Sequence, residues 1–354
     1  MVKTVTVVGA GVVGAAIGFY LARAGARVTV IDASTPASGA SGRSFGWINA
    51  SFFASQDHFR LRMAAMAAHH ALTTDLGPTG ALWPGAVSWE QSGDALEATA
   101  TALTQMDYPL RRISRTEFAR LEPAIAAPPP EALYFPTEGI IDLADLTRRL
   151  LAGAAHHGAR LCYGVPVTEI RAKGTVATDQ GAIEADQVVL AGGTGSAALL
   201  ARLGLRLPML TRPALMLRSR PVAPLIRHIL VTPDHELRQD PSGRLVAPTS
   251  AGHQQDDSDK VSELPMTVAD RALSNLQALL PQTDLAWEEV TLAFRPVPGD
   301  GLPAVGTTGV EGLYLAVLHS GATLAPLIGQ LVAAEVMGGA ASPLLAPYRP
   351  ARFA

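Results

Sequence analysis

Residues 4–14 read TVTVVGAGVVG, and this stretch restricts the fold more than any other. The β-branched run Thr4–Val8 predicts a buried parallel strand. Gly9, Gly11 and Gly14 follow in the spacing G-x-G-x-x-G. The apolar residues from Val12 to Ala24 predict a helix that Gly25 stops. Val28–Ile31 is the next strand, and Asp32 ends it. In such a βαβ unit Gly9 permits the tight turn, Gly11 lets backbone approach a pyrophosphate, and Gly14 lets helix pack on strand. The helix N-terminus offers free N–H groups and positive potential to phosphate. Asp32 is placed to accept hydrogen bonds from a ribose diol and to repel a 2′-phosphate, which favours FAD or NAD over NADP. The bland reading of the same residues is a glycine-rich packing turn. Lys3 and the apolar run behind it also mimic a secretory leader. The strand Val28–Ile31 argues against that, because cleavage would destroy the unit.

With 354 residues the chain is long enough for about two domains. Hydrophobic residues make up 48% and charged residues 17%, which predicts a large core rather than disorder. The net charge of −3, with no block of like charge, argues against nucleic acid and anionic membrane surfaces as partners. Cys162 is the single cysteine, so no internal disulfide can form, and a reducing, cytoplasmic setting fits. Assembly into an oligomer stays open. The tandem pairs His69-His70 and His156-His157 have no carboxylate or cysteine at metal spacing, and no metal site is expected.

Leu313 to Ala334 carries no charge over twenty-two positions, long enough to cross a bilayer. His319, Gly321 and Pro326 interrupt it. The expectation is a buried strand Leu313–Val317, a turn at His319-Ser320-Gly321, and a helix with Thr323 as N-cap and Pro326 in its first turn. Leu324, Leu327, Ile328 and Leu331 would form its apolar face. Its N-terminus, aimed at a flavin, would favour negative charge there.

Elsewhere, Gln56–Leu76 predicts a helix, apolar at Phe59, Met63, Met66 and Ala67. Asp142 caps another that runs to about His157. Short strands with turns at Lys173-Gly174 and Gln180-Gly181 form an interruption before Gln187–Ala191, an apolar run that ends in Gly192-Gly193 and suggests a second visit to the parallel sheet. Residues from about 207 to 292 read as strands around a helix near Thr267–Leu280. The expected fold is α/β: a Rossmann-like domain, its parallel sheet carrying an inserted three-stranded meander, interleaved with an α+β substrate domain on a mostly antiparallel sheet. The Rossmann-like domain takes residues 1–77, 136–206 and 293–354; the substrate domain takes 78–135 and 207–292. The small-residue loop SGASGRSFGW and the meander favour FAD over NAD, since an NAD-dependent dehydrogenase usually continues through regular βα units.

Four stretches carry a resemblance: VTVVGAGVVGAAIGFYLARAGARVTVID, YFPTEGIIDLADLTRRLLAGAAHHGARL, FRPVPGDGLPAVG and HSGATLAPLIGQLVAAEV. Together they resemble the D-amino acid oxidase superfamily, and within it glycine oxidase, sarcosine oxidase and the D-amino acid or hydroxyproline dehydrogenases. The likeness runs in order over nearly the whole chain and is loose between about 78 and 130 and between 207 and 290. It implies FAD and oxidation of the C–N bond of amino acids or secondary amines. It places Val12 and Val13 on the pyrophosphate turn, and Asp32 and Ala33 near the adenosine ribose. It places Ser41, Gly42, Arg43, Ser44, Phe45, Gly46 and Trp47 along the phosphates and the isoalloxazine ring. It implies that Val167 pairs with adenine through its backbone and that Gly192 and Gly193 turn beside the ribose. His319, Ser320, Gly321, Ala322 and Thr323 match the segment at the flavin's pyrimidine edge.

Some members tether flavin through a cysteine near the C-terminal Pro-Gly segment. Cys162 stands elsewhere, so noncovalent FAD is expected. None of Lys3, Lys173 and Lys260 matches the lysine that speeds oxygen reaction in sarcosine oxidases, so oxygen and a quinone or other carrier both stay open as acceptor. Arg295 matches a carboxylate-binding arginine of glycine oxidase, a task its planar fork suits; the rival role is an ion pair with Asp300. A second family arginine falls near His319-Ser320 and is missing. His319 is a candidate for orienting substrate or flavin, or a hydrogen-bonded core group. Arg43 could serve pyrophosphate, substrate or surface. Phe45 and Trp47 wall the flavin or pack the core. His253 opens a polar run and ranks low as a site residue. The expected chemistry is hydride transfer from substrate carbon to flavin N5, leaving an imine that water hydrolyses. Two rivals remain: an NAD-dependent dehydrogenase, and a non-catalytic flavin-binding subunit of a larger complex.

Overall fold

The structure is a computed structural model that describes residues 2–248, 263–281 and 283–354. His253 and Lys260 lie outside the described residues. The strand Thr4–Val8 sits inside a six-stranded sheet, between Arg27–Asp32 on one side and Gln187–Leu190 on the other, both parallel to it. Arg160–Tyr163 extends the sheet beyond Arg27–Asp32. Leu313–Val317 extends it beyond Gln187–Leu190, and Ala304–Thr307 closes that edge antiparallel. Val5, Val7, Val28 and Val30 are all buried, as strands covered on both faces require. The chain leaves the sheet in opposite directions from Thr4–Val8 and Gln187–Leu190, and the crevice above that switch point is where α/β sheets bind ligands.

The interruption is a meander of three antiparallel strands, Val167–Arg171, Thr175–Thr178 and Gly181–Glu184. A second sheet has eight strands. In spatial order they are Trp287–Phe294, Pro213–Ser219, Leu245–Pro248, Glu236–Gln239, Ile229–Val231, Ala86–Ser88, Glu131–Phe135 and Arg111–Ser114. All neighbours are antiparallel except Ile229–Val231 against Ala86–Ser88. The helix Pro265–Leu279 lies on this sheet.

The uncharged stretch divides as expected into strand and helix, but the helix begins earlier, spanning Gly321–Val336 with Ser320 as N-cap. Thr323 is therefore not the cap. Its hydroxyl lies inside the protein, donating to the Trp47 carbonyl and accepting from the Asn49 N–H. Pro326 falls within the helix, beyond the first turn, where its missing N–H leaves the Ala322 carbonyl without its helical donor. His69 Nε2–H donates to that carbonyl at 2.8 Å. Burial holds the His69 imidazole well below its ordinary value, at about 4, so it stays neutral in this role. The helix is buried almost all round rather than on one face, with Leu331 only half-buried. It runs beside the helix Val12–Arg23, where a Cβ on Gly329 would come within 2.9 Å of the Ala16 backbone. At the other end a Cβ on Gly321 would lie 3.0 Å from Val12. The two helices thus start side by side, and burial on every side explains the missing charge. Among the described residues no helix is long and apolar enough to cross a membrane.

Candidate functional site

A cleft of about 340 Å³ opens where those two helices begin, and it reaches across to the antiparallel sheet. One end is made of backbone. Gly9 has φ +115°, and a Cβ there would meet the Ala191 carbonyl oxygen at 2.4 Å. A Cβ on Gly14 would stand 2.0 Å from the Gly9 oxygen, so only glycine lets the helix approach the strand. Gly11 faces the small-residue loop: its Cβ would lie 3.2 Å from Ser41 Oγ, which accepts the Val12 N–H at 3.0 Å. Asp32 accepts from the N–H groups of Ala10 at 2.6 Å and Ser34 at 2.8 Å, and lines the cleft with acceptor capacity left for a ligand hydroxyl.

Gly9, Gly11, Val12, Val13 and Asp32 all line the cleft, as do Ser41, Gly192 and Gly193. Gly14 and Gly42 support it from behind; a Cβ on Gly42 would strike the Ala37 oxygen at 2.3 Å. Ala33 and Val167 are not part of the wall. Val167 sits in the meander, paired with Thr178, two residues beyond Val165, whose N–H donates to the Asp32 carbonyl. Arg43 donates from its guanidinium to the Ser38 and Gly39 carbonyls, so it closes its own loop at the cleft's rim.

The other end is made of side chains. Ser44, Phe45, Gly46 and Trp47 continue the wall, with Phe45 edge-on to Trp47 at 6.2 Å between ring centres. Both rings are buried, so packing and walling the cleft are the same act. His319, Ser320, Gly321 and Ala322 form the floor at the closing helix, while Thr323 lies one layer deeper. Ser320 has φ +59°, a left-handed conformation uncommon outside glycine, and its hydroxyl lies 3.2 Å from His319 Nδ1. Arg295, buried to 7% exposure, reaches the cleft from the antiparallel sheet's end, beside Met216 and Phe294. Its backbone N–H donates to the Arg212 carbonyl. Asp300, the ion-pair partner considered for it, is instead gripped by Arg352 through two bonds of 2.7 and 3.0 Å.

Four groups at this end were not anticipated: Arg62, Asn49, Glu138 and Tyr108. Arg62 is 2% exposed and lines the cleft. It donates to the Asn49 carbonyl through Nε, to the Asn49 side chain through Nη2, and to Ser320 Oγ through Nη1 at 3.0 Å. Behind it, Glu138 is wholly buried, accepting from Trp47 Nε1–H at 2.8 Å and the Tyr108 hydroxyl at 2.7 Å. Burial raises the Glu138 carboxyl to about 7, against the pull of its hydrogen bonds and of Arg62. Burial lowers Arg62 to about 10. A sequence signal existed for Arg62. The buried face of Gln56–Leu76 is His58, Phe59, Leu61, Arg62, Ala65, Met66, Ala68, His69 and Leu72, whereas Met63 is half-buried and Ala67 exposed. Phe59 and Met66 lie on it as expected, Met63 and Ala67 do not, and an arginine within it went unnoticed. Cys162 lies on the strand beside Ile31 and does not reach the cleft.

The residues present fit an extended dinucleotide flavin. A glycine cradle, the N-terminus of Val12–Arg23 and a carboxylate serve one end, and an aromatic and cationic chamber at the N-terminus of Gly321–Val336 serves the other. Comparison with known proteins agrees. A family model described as FAD dependent oxidoreductase matches residues 4–335. The chain is 30% identical over 349 residues to a glycine oxidase of Geobacillus kaustophilus, covering 93% of this chain and 91% of that one. It is 28% identical over 408 residues to a D-amino acid dehydrogenase of Paramagnetospirillum magneticum, covering 94% and 95%. The crystal structure of glycine oxidase from Geobacillus kaustophilus superposes with a TM-score of 0.87 at 27% identity, over 98% of each chain.

Proposed function

The chain belongs to the FAD-dependent oxidoreductase family, and from that premise we propose that it oxidises the C–N bond of a small amino acid or secondary amine. Bound FAD supplies the acceptor for the hydride that leaves the substrate carbon. The imine product then takes up water and falls to a carbonyl compound and an amine. Arg295 carries the reading of substrate class: a buried guanidinium at the cleft wall whose fork matches a carboxylate. Met216 and Phe294 beside it supply an apolar boundary suited to a small side chain. His319, steadied by Ser320, lies where it can orient the substrate amine. An amine that arrives deprotonated needs no further base. The names of the relatives, which specify glycine and D-amino acids, support the same class.

The remaining assignments follow this reading. Glycine-turn residues, Asp32, the Ser41–Trp47 loop and the Ser320–Thr323 segment hold FAD without a covalent bond. Residues 1–77, 136–206 and 293–354 form the FAD-binding domain and 78–135 with 207–292 the substrate domain, the strand Trp287–Phe294 running through the last border. The single cysteine supports a reducing, cytoplasmic setting.

The test is anaerobic mixing of the FAD-loaded protein with glycine, sarcosine, D-amino acids, proline and hydroxyproline. Bleaching of the flavin band by a member of the panel is expected. A flavin that stays oxidised with every member, in protein that holds FAD, overturns the reading in favour of a non-catalytic flavin-binding subunit. Protein that takes up no FAD but reduces NAD points to the dehydrogenase alternative. Admitting air to the bleached protein then separates the acceptors: prompt recovery of colour identifies dioxygen, and recovery only with an added quinone identifies a carrier.

A further inference from the structure

Arg62 poses an electrostatic problem that the proposed reaction does not use. It is a guanidinium taken wholly out of water, yet each of its hydrogen bonds goes to a neutral oxygen, on Asn49 or on Ser320. A buried charge without a partner is costly, and such groups persist where something compensates them. The opposing charge that acts on Arg62 is Glu138, which lies one layer deeper and shares its own carboxylate with Trp47 and Tyr108. Burial, with the field of Arg62 added to it, keeps His58, one turn earlier on the same helix, down at about 4. Two anionic occupants of the cleft could supply compensation, a substrate carboxylate or an electron-rich flavin edge. Geometry favours the flavin edge: three of the five Arg62 N–H groups, the Nε–Nη2 side of its fork among them, are held by Asn49 and Ser320, which leaves one N–H on each Nη. Its Nη1 instead braces Ser320, the residue that opens the closing helix, and so adds a full charge behind a helix N-terminus.

Resting on the FAD reading above, we propose that Arg62 and Glu138 are a buried positioning pair that sets the reduction potential of the bound flavin. Arg62, acting through Ser320 and the helix start, favours the reduced, negatively charged ring. Glu138 tempers that field when ionised and releases it when protonated. The groups facing this pair are His58 on the helix of Arg62, Tyr108 and the non-ionising Trp47 against the Glu138 carboxyl, and His319 beyond Ser320. His58 is neutral above about pH 5 and Tyr108 stays protonated, since burial and Glu138 push its hydroxyl up. That leaves Glu138, raised to about 7, as the group that titrates near neutrality, with His319 as the one neighbour whose substitution serves as a control.

The experiment is dye-equilibrated measurement of the FAD reduction potential between pH 5.5 and 8.5. The proteins are the wild type, Arg62→Met, Arg62→Lys, Glu138→Gln and His319→Gln, each loaded with FAD. Arg62→Met is expected to shift the two-electron equilibrium at least tenfold toward the oxidised flavin, a drop of about 30 mV, with Arg62→Lys restoring part of it. Glu138→Gln is expected to match the wild type at pH 5.5 and to lie above it at pH 8.5. It should also lose the extra proton uptake that steepens the wild-type curve near neutrality. An Arg62→Met equilibrium shifted by less than tenfold overturns the proposal, as does a steepening that survives Glu138→Gln and vanishes in His319→Gln. Should Arg62→Met fail to fold, the pH curve of Glu138→Gln decides alone. Wild-type protein that binds no FAD sinks the functional reading itself, whereas FAD bound at an unmoved potential sinks only this pair's role.

Discussion

The two ends of the cleft are built on different plans. At the proposed pyrophosphate end the cleft is built from main chain: Gly9 and Gly14 set its path, and each Asp32 oxygen accepts from a nearby N–H with capacity to spare. At the proposed flavin end it is built from side chains drawn from positions 47, 49, 62, 108, 138 and 320, of which Arg62 and Glu138 are buried and charged. The first plan is rigid and indifferent to which flavin enzyme it serves. The second holds the groups proposed above to tune a reaction. Substitutions at the two ends should therefore fail in different ways: one by losing cofactor, the other by keeping it and misusing it.

The largest expected effect is at the main-chain end. In Gly14→Ala the new Cβ would sit 2.0 Å from the Gly9 oxygen, and neither backbone can yield without moving a sheet strand. The expected cost exceeds about 3 kcal/mol, the upper range for overpacking. Purified Gly14→Ala protein should carry no FAD and melt well below wild type. A variant with one FAD per chain would show that this turn tolerates what its geometry forbids, and the contrast between the ends would collapse.

The flavin end should show its character through pH. Glu138 has a carboxyl raised to about 7 from an ordinary 4.5, so the folded protein holds a proton that the unfolded chain has released. Its contribution to stability is complete below pH 4.5 and is lost as pH rises through 7, a loss on the order of 3 kcal/mol. His58 and His69 act in the opposite sense. Both are lowered to about 4, so their contribution is present above 6.5 and is lost as pH falls toward 4. The windows overlap between 4.5 and 6.5, where two histidines outweigh one carboxyl, so thermal unfolding at fixed free FAD should reveal an optimum near pH 6.5. Glu138→Gln should flatten the alkaline limb above it and steepen the acid limb below it. An unchanged alkaline limb would place the titrating group elsewhere.

Arg295→Ala sharpens the contrast within the flavin end. A charged hydrogen-bonded contact to the substrate is worth about 1.5–3 kcal/mol, so KM should rise roughly tenfold to a hundredfold while FAD content stays at wild type. If KM holds and melting temperature falls, Arg295 is a structural arginine and the carboxylate is held by another group.

The same contrast explains what could be read from the sequence. Gly9, Gly11, Gly14 and Asp32 were legible because a backbone-built site is local: four residues within one βαβ unit carry it. The meander and the strand–turn–helix in Leu313–Ala334 were legible for a similar reason, through turn residues and Pro326. Arg62, Asn49, Tyr108 and Glu138 were not, since they meet only after the chain folds and each has an ordinary bland reading alone. Arg62 lay in a helix whose existence was plain, on a buried face wider than its apolar residues alone mark. Thr323 was misjudged as a cap because the feature that fixes the helix start, the left-handed Ser320 braced by Arg62, is a tertiary contact.

The smallest effect concerns Cys162, and it bears on whether the two ends hold FAD by contacts alone. The thiol lies on the strand Arg160–Tyr163, half-buried in the apolar cluster around Ile31 and Val188, on a strand that does not reach the cleft. It cannot reach a flavin without unmaking the sheet. Cys162→Ala should therefore change FAD content not at all and stability by about 1 kcal/mol or less, the cost of a small group in a partly open site. Acid precipitation should leave a colourless pellet and all the flavin in solution, for the variant and the wild type alike. A pellet that stays yellow in both would mean that a residue of the side-chain end is bonded to the ring. The division of labour would then be wrong at its root, because that end would anchor the cofactor as well as tune it.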